Sequence, residues 1–432
     1  MKIVKVNNLP QTYEADTIYL VKSSTAGLMD IYVTDNTGTQ IRSLAIDAAA
    51  VPNTPAGSIT ATTVQAAINE LEQAFGADIK ALQFEVGSLK RAAAPAVPAR
   101  KHLLVYYGYP VAFKGIWDAA AVAAEIAANY DYWVVGDTYQ DPAHEEYAST
   151  VSIVNAVRAA GCKVYGYVPI GLSTSALTLA QMQARVDQWA TIGVDGIFLD
   201  EFGFDYSNTR TRQKSIVDYV HGKGLPYCAN AWTAEDFMCD DVNELPWPSN
   251  DWRYQNFVTG NPTNLPLTRT AGDSYLIENF CFSHTGPAGV FDVQERSALT
   301  TALAASKGVE VWALAVLPET APGVLDAALL GHLTTLENVG AYISANAYLY
   351  DIVVVGSGGF SFGSNGTPLL APLQALPEYA GAPISAAVNN YTTMTAVRQF
   401  GDVQILVTNT ASVQSVSVSS PSTAVLSGEY PG

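Results

Sequence analysis

Short apolar runs alternate with longer amphipathic stretches through the middle of the chain. Continuous apolar runs are typical of strands that are buried on both faces of a parallel sheet. The intervening stretches place apolar residues at helical spacing, and several end at glycine, as helices commonly do. The runs occupy residues 103–107, 132–136, 163–168, 196–199, 226–229, 275–277, 309–317 and 341–344, and the amphipathic stretches 119–129, 151–160, 179–192, 213–222, 294–306 and 325–339.

Eight strand-and-helix units between residues 100 and 350 predict an α/β fold, a closed (β/α)8 barrel of the TIM type. A doubly wound open sheet is the alternative. It is disfavoured because no GxGxxG or phosphate-binding loop opens any of the predicted helices.

The two ends of the chain show different patterns. Residues 1–60 contain β-like runs at 17–21 and 29–33 and around Ile41, which predict a small β unit. Residues 351–432 contain β-rich runs at 397–400, 404–407 and 413–418, and predict a small C-terminal β domain. That segment has five charged residues and no lysine, so we expect it to pack against the barrel or against symmetry-related copies. A soluble sandwich covered by Ser and Thr is the alternative.

Residues 61–99 form a third kind of segment, a predicted helix followed by an Ala/Pro-rich linker. Its apolar positions are spaced by three and four residues, which is close to the heptad pattern of a coiled coil. We expect a parallel oligomeric stalk, with an amphipathic helix packed on its own chain as the alternative. The seam consists of Val64, Ile68, Leu71, Phe75, Ile79, Leu82, Val86 and Leu89.

Composition narrows the classes of partner. The chain has 22 basic and 40 acidic residues, a formal charge of −18, and only 14% charged residues in 432. This balance argues against nucleic acid and against an anionic membrane surface, since both require clustered Lys and Arg. No signal peptide or membrane span is expected. The four cysteines lack paired spacing and are expected to be buried free thiols: Cys162, Cys228, Cys239 and Cys281.

The candidate site follows from the predicted barrel, because catalytic groups of such barrels lie at the carboxyl ends of the strands. The polar residues at those ends are mainly carboxylates and tyrosines. No His or Cys stands at metal-ligand spacing, and no metal or other cofactor is expected. The strand-end candidates are Tyr107, Tyr109, Asp137, Tyr167, Asp200, Glu201, Asn230, Glu278 and Glu319.

Carboxylate pairs beside aromatic side chains are what glycoside cleavage requires. Trp232 and Trp252 lie in the long stretch after the fifth strand and are expected to contact a sugar, as are Tyr107, Tyr109 and Tyr167. Adjacent strand residues point to opposite faces, so only one of Asp200 and Glu201 can be catalytic. Asp200 is our choice, with Glu201, Asp137 and Asn230 as substrate-binding candidates. The structural alternative is that Asp200 caps the following helix or pairs with Arg210 or Arg212.

The N-terminal residues carry a first resemblance. Residues 8–22, 32–35 and 61–71 resemble the N-terminal part of bacteriophage tail fibres and tailspikes. In that family such segments attach a trimeric receptor-binding protein to the virion. The resemblance implies a homotrimer in the phage tail, made in the host cytoplasm, with tail or baseplate proteins as partners.

The string Gly193 to Glu201, GVDGIFLDE, carries a second resemblance, to the spherulin-4 and endo-α-1,4-polygalactosaminidase group. These (β/α)8 glycosidases cleave galactosamine-containing polysaccharides. The resemblance implies catalytic carboxylates at Asp200 and Glu278 and a polar role for Asn230, and Tyr107 lies where the first strand faces substrate. The loop 234–272 is longer than that family has. Asp195 is expected at a turn on the non-catalytic side.

Together these features predict a tail fibre or tailspike depolymerase that hydrolyses a bacterial capsular or surface polysaccharide, one that contains amino sugars. The alternative is a receptor-binding protein that recognises a host glycan without cutting it. Motif order alone gives Asp200 as nucleophile or stabiliser and Glu278 as general acid/base, and the reverse assignment stays open.

Overall fold

The computed structural model divides into two compact units, Met1–Lys90 and Arg91–Gly432. The predicted stalk and linker at 61–99 lie outside the residues that the structure describes. These are 2–6, 8, 10, 12, 14–22, 29–44, 100–288, 291–330, 333, 335–359, 370–373, 383, 387–390, 394–400, 403–409 and 414–419.

The first unit contains a four-stranded sheet. Strand β1 pairs in parallel with β2, and β2, β3 and β4 follow as an antiparallel meander. The side-chain hydroxyl of buried Thr34 accepts a hydrogen bond from the backbone N–H of Thr17 at 2.9 Å and so links β3 to β2. Three of the strands match the predicted β runs. The strands are β1 (Lys2–Val6), β2 (Thr17–Lys22), β3 (Met29–Thr34) and β4 (Gln40–Leu44).

A closed barrel of eight parallel strands forms the body of the second unit, which confirms the predicted (β/α)8 fold. Around the barrel the order is β5-β6-β7-β8-β9-β10-β13-β16, and β16 pairs with β5. Two small hairpins, β11–β12 and β14–β15, lie in loops. The strands are β5 (Lys101–Tyr106), β6 (Tyr132–Val135), β7 (Lys163–Pro169), β8 (Gly196–Asp200), β9 (Tyr227–Asn230), β10 (Ser274–Glu278), β11 (Phe282–Ser283), β12 (Gly286–Pro287), β13 (Glu310–Leu317), β14 (Glu319–Ala321), β15 (Val324–Leu325) and β16 (Val354–Gly359).

Helices cover the outside of the barrel. Several begin at side-chain caps, such as the capping box of Thr178 and Gln181, and end at a left-handed glycine such as Gly193. None of those described is long and apolar enough to cross a membrane. The helices are α1 (Ala119–Asn129), α2 (Tyr147–Ala159), α3 (Leu179–Ile192), α4 (Arg210–Gly222), α5 (Glu235–Met238), α6 (Trp252–Gly260), α7 (Arg296–Lys307) and α8 (Leu336–Leu349).

The last unit of the barrel corrects the sequence prediction. Residues 341–344, predicted as the eighth strand, lie within α8, and the predicted helix at 325–339 begins only at Leu336. The eighth strand is β16, so the barrel extends beyond the predicted boundary at residue 350. α8 is buried on nearly all sides and therefore has a continuous apolar run, as a strand would. β16 lies in the segment that was assigned to the C-terminal β domain. Glycine is required at position 356 because a Cβ there would lie 2.3 Å from the carbonyl oxygen of Leu103.

The C-terminal sheet packs on α8. We expected this low-charge segment to pack against the barrel or against symmetry-related copies. The buried guanidinium of Arg398 donates to the carbonyls of Tyr348 and Leu349 and to Asp351. The ring of Phe400 meets Tyr348 edge-on. All four cysteines are buried and free, as predicted. The sheet is antiparallel and consists of β17 (Val388–Asn390), β18 (Thr395–Phe400), β19 (Val403–Asn409) and β20 (Gln414–Ser419).

Candidate active site

Two carboxylates meet at the mouth of the barrel. Asp200 is the last residue of β8 and Glu278 the last of β10, and Asn230 ends the strand between them. The side-chain nitrogen of Asn230 donates to Asp200 Oδ1 at 2.8 Å and to Glu278 Oε2 at 2.9 Å. Because both bonds meet at one nitrogen, the two oxygens lie no more than about 5.7 Å apart, near the roughly 5–5.5 Å of retaining glycosidases.

The period of two along each strand explains why these side chains converge. Phe198, Cys228 and Leu276 fill the interior of the barrel, each two residues before Asp200, Asn230 and Glu278 respectively. Residues two apart point to the same side of a strand, so the next inward position falls at the open end. Tyr107 and Tyr167 follow inward Val105 and Tyr165 in the same way.

The carboxyl group of Asp200 is held by donors on both oxygens. Tyr167 donates its hydroxyl to Oδ2, and Asn230 donates to Oδ1. Burial raises the pKa of Asp200 to about 6, and the charge of Glu278 adds to the rise. Hydrogen bonds from Tyr167, the backbone of Glu201 and Asn230 oppose it.

No cation in the described part of the chain forms an ion pair with Asp200 or Glu278. Arg210 donates instead to the carbonyl of Cys239. Arg212 donates to the carbonyls of Ile170 and Leu177. The alternative in which Asp200 pairs with one of these arginines is therefore not what the structure contains.

Three tyrosines surround the carboxylates. Tyr107 meets Tyr167 edge-on with ring centroids 5.0 Å apart. Burial raises the pKa of Tyr107 well above its ordinary value, and the charges of Asp200 and Glu278 raise it further. Burial, followed by the charge of Asp200, raises the pKa of Tyr206 to about 12. These phenols remain protonated at neutral pH and are hydrogen-bond donors in the cleft.

The backbone turns sharply directly after each carboxylate. Glu201 and Asn279 both adopt left-handed conformations, with φ of 55° and 58°. Such conformations cost a non-glycine residue roughly 1–3 kcal/mol and concentrate at functional sites. The side chain of Glu201, a predicted substrate contact, accepts hydrogen bonds from Thr174 and Ser175.

Tyr109 and Asp137, two further predicted substrate contacts, interact with residues outside the carboxylate pair. The hydroxyl of Tyr109 donates to Glu145 at 3.0 Å, and Asp137 forms an ion pair with Arg185 on α3. Neither has a described contact with Asp200 or Glu278. The structure therefore brings together Asp200, Glu278, Asn230, Tyr107 and Tyr167, while Tyr109, Asp137 and Glu201 belong to neighbouring loop networks.

The two predicted tryptophans line a cavity next to the carboxyl end of β10. Trp232 and Trp252 are half exposed, at 52% and 51%, and line a cavity of about 420 Å³. Asn279, the residue after Glu278, lines the same cavity. An exposed indole at a cleft is suited to stacking on a sugar face.

Sequence reasoning missed Tyr206 and Arg296. Tyr206 lies in a loop turn after β8, beyond the last polar residue of the strand. Arg296 begins α7 and donates to the carbonyl of Glu278 at 2.8 Å. The strand-end rule could not predict either residue, because Tyr206 lies in a loop and Arg296 at the start of a helix.

No protein-family model matches the chain, and neither does any curated protein. Among solved structures it is similar to a mutant O-GlcNAc hydrolase of Thermobaculum terrenum, at 13% identity over 61% of this chain and 55% of that one, with a TM-score of 0.35. The glycoside hydrolase domain of PelA from Pseudomonas aeruginosa gives 10% identity, 64% and 100% coverage, and a TM-score of 0.36.

A 4-hydroxy-tetrahydrodipicolinate synthase from Methylacidiphilum fumariolicum gives 10% identity, 60% and 67% coverage, and a TM-score of 0.31. Hydrolases and a synthase thus give similar scores. The barrel is established by its own strand pairing.

Proposed function

We propose that the barrel hydrolyses the glycosidic bonds of a polysaccharide through Asp200 and Glu278. The observation that carries the proposal is the bridge that Asn230 makes between the two carboxylates at the barrel mouth, with no cation paired to either among the described residues. A carboxylate that only stabilises the fold would be paired with a cation, as Asp195 is with Arg158. Two carboxyl groups at this separation are suited to act on opposite sides of one bond.

The hydrogen bonds support distinct roles for the two groups. Both oxygens of Asp200 accept hydrogen bonds, which orient it and favour its ionised form, as a nucleophile requires. Glu278 accepts a bond from Asn230 on Oε2, whereas Oε1 has no hydrogen-bond partner within the described chain. Oε1 is therefore available to carry the proton for the departing oxygen.

The reaction then has two steps. Glu278 gives its proton to the glycosidic oxygen while Asp200 attacks the anomeric carbon, forming a glycosyl ester and releasing the leaving sugar. Glu278 next takes a proton from water, whose oxygen attacks the anomeric carbon and frees Asp200. The short separation of the carboxylates predicts retention of the anomeric configuration.

The substrate that we propose is a bacterial capsular or surface polysaccharide containing amino sugars. The resemblance of residues 193–201 to polygalactosaminidases supports this class. The charge of −18 also supports it, because free amino sugars are cationic and are attracted to an acidic protein.

We further propose that the protein is a homotrimeric phage tail fibre or tailspike, attached to tail proteins through residues 1–60. The resemblance of residues 8–22, 32–35 and 61–71 to such proteins supports this role. Light scattering of the full chain tests the oligomer, with a trimer expected. A monomer would contradict the trimeric assignment.

Hydrolysis is tested by incubating purified capsule with the full-length protein, Asp200→Asn and Glu278→Gln. Released oligosaccharides are followed by mass spectrometry. We expect fragments from the wild type and almost none from either variant. Intact polymer that nevertheless binds the wild type would favour the non-catalytic receptor-binding role, and undiminished cleavage by both variants would exclude the site.

A further inference from the structure

The backbone pairing between the two strands that carry Asn230 and Glu278 stops short of the carboxylates. In the described chain the last paired residues of β9 and β10 are Asn230 and Leu276, two positions before Glu278. On its other side, β10 stays paired with β13 as far as Glu278 and Leu314. The barrel mouth therefore opens between β9 and β10, across the gap that the hydrogen bond from Asn230 to Glu278 spans.

Arg296 joins the two strand ends across this gap. One terminal nitrogen of its guanidinium donates to the carbonyl of Glu278 at 2.8 Å, and the other donates to the carbonyl of Trp232 at 3.3 Å. Trp232 lies two residues after Asn230, and Glu278 lies two residues after Leu276. The guanidinium thus continues the register that the backbone has left, because its planar fork presents two donors to two acceptors.

A buried tyrosine supports the same junction. Tyr275, in β10, donates its hydroxyl to the carbonyl of Ala231 at 2.6 Å. Burial raises the pKa of Tyr275, and the charge of Arg296 partly opposes the rise, so the guanidinium lies near this hydroxyl. The carbonyl groups of Ala231, Trp232 and Glu278 therefore accept from side chains where the backbone ladder has ended.

The other surroundings of Arg296 fit a role in holding backbone. Arg253, which lines the same cavity, is paired with Asp251. Arg296 forms no ion pair with a carboxylate in the part of the chain that the structure describes, and its donors go to carbonyls. A π-helix, Phe291–Glu295, directly precedes it, and such wide turns are rare and frequently lie at functional sites.

We propose that Arg296 is a positioning residue for the reaction. By holding the carbonyls of Glu278 and Trp232 together, it sets the distance between Glu278 and Asn230 and so the separation of the two carboxylates. The proposal rests on the proposed function for its effect on hydrolysis. A misplacement of about 1 Å at a reacting group can lower a rate by on the order of 10²-fold, so the junction matters for catalysis.

The first test is steady-state kinetics on purified polysaccharide with full-length Arg296→Lys and Arg296→Ala. Lysine keeps the charge but cannot present a fork to two carbonyls, so both variants should lose kcat by on the order of 10²-fold, with KM changed far less. Arg253→Lys is the matched control, because Arg253 has no described contact with either strand end, and it should keep its kcat. Wild-type kcat in Arg296→Lys, or an equal loss in Arg253→Lys, would overturn the proposal.

Chemical rescue separates positioning from a general loss of structure. Arg296 lines the cavity, so free guanidinium ion can reach the space that Arg296→Ala leaves. A concentration of about 50 mM is well below the molar range that unfolds proteins. We expect the ion to raise the kcat of Arg296→Ala severalfold and to leave Arg296→Lys unchanged, because the lysine fills that space. No gain in Arg296→Ala, or the same gain in Arg296→Lys, would overturn the proposal.

Crystal structures of the wild type and of Arg296→Ala test the positioning role without activity. We expect the hydrogen bond of 2.9 Å between Asn230 and Glu278 to be lost in the variant. If it is lost while the wild type leaves polysaccharide intact, the positioning role stands and hydrolysis fails. If the wild type cleaves polysaccharide and Arg296→Ala keeps both this bond and its kcat, hydrolysis stands and the positioning role fails.

Discussion

The two ends of strands β8 and β10 carry the same kinds of residue in opposite environments. Asp195 precedes β8, where Arg158 contacts both of its oxygens at 2.8 and 3.0 Å and the backbone of Val164 donates at 2.9 Å. Asp273 precedes β10 and is paired with His221 at 3.0 Å. At the carboxyl ends of these strands, Asp200 and Glu278 both accept hydrogen bonds from Asn230.

The pKa values follow this difference. Burial alone would raise the pKa of Asp195, but the hydrogen bonds of Arg158 and Val164 outweigh it and the pKa is lowered. Burial raises the pKa of Asp200 to about 6 because no cation offsets it. Asp195, at the amino end of β8, is thus held in an ion pair, whereas Asp200, at the carboxyl end of the same strand, has no cation partner among the described residues. The expected position of Asp195 at a turn on the non-catalytic side is confirmed.

The largest expected effect is on kcat, which should depend on the carboxyl ends of β8 and β10 and not on their amino ends. Asp200→Asn and Glu278→Gln should each lower kcat by on the order of 10³-fold, since each removes a group that acts in bond cleavage. Asp195→Asn, the matched control at the other end of β8, should leave kcat per folded molecule unchanged. Steady-state kinetics on purified polysaccharide measures this, and an equal loss in all three would mean that the two ends do not differ.

The next effect is on the free energy of unfolding, which should depend on the amino end of β8. Asp195→Ala leaves Arg158 and the backbone N–H of Val164 without their shared acceptor, and should lower the free energy of unfolding by about 1–3 kcal/mol. Urea denaturation of the full-length protein measures the change. A stability like that of the wild type would show that this end of the barrel does not depend on its ion pair.

A smaller effect concerns pH. Asp200 must be ionised to act as nucleophile, so kcat/KM should fall as the pH drops through about 6. The Tyr167 hydroxyl lowers this pKa, so Tyr167→Phe should move the acidic limb upward by about half a unit to one unit, the equivalent of one hydrogen bond. A limb that stays in place or moves downward in pH–rate profiles would contradict the role of Tyr167.

The last effect concerns a buried carboxyl group that takes no part in catalysis. Asp236, on α5, is buried and accepts from the backbone of Phe204 at 2.8 Å, and burial raises its pKa to about 8. Because the folded pKa lies above the unfolded one, stability is lost as the pH rises toward about 8, by at most about 1.4 kcal/mol per pH unit. Asp236→Asn should flatten this dependence between pH 6 and 8 in thermal unfolding. An unchanged slope would assign it to other groups.

The sequence carried enough information for most of the barrel and for the centre of the site. Seven of the eight strands were predicted from their apolar runs, because both faces of each are buried. Asp200, Asn230 and Glu278 followed from the strand-end rule, since the period of two turns them toward the mouth. The eighth strand was missed because β16 is rich in glycine and lacks a long apolar run. Residues of α8 were taken for that strand because burial on nearly all sides gives the helix a continuous apolar run.

The residues around the carboxylates were harder to predict from the sequence. Tyr206 lies in a turn and Arg296 directly after a π-helix, so the direction of neither side chain follows from a regular period. The partners of Tyr109 and Asp137 come from loops and helices distant in the chain. Such contacts depend on tertiary packing, which no local spacing encodes.

The most direct test of the central claim is NMR of the reducing ends as the full-length protein first cleaves polysaccharide. Retaining hydrolysis predicts that the first product has the anomeric configuration of the bond that was cut, with mutarotation following. The signal should be lost in Asp200→Asn and Glu278→Gln and retained in Asp195→Asn. An inverted first product, or cleavage that persists in both site variants, would contradict the account.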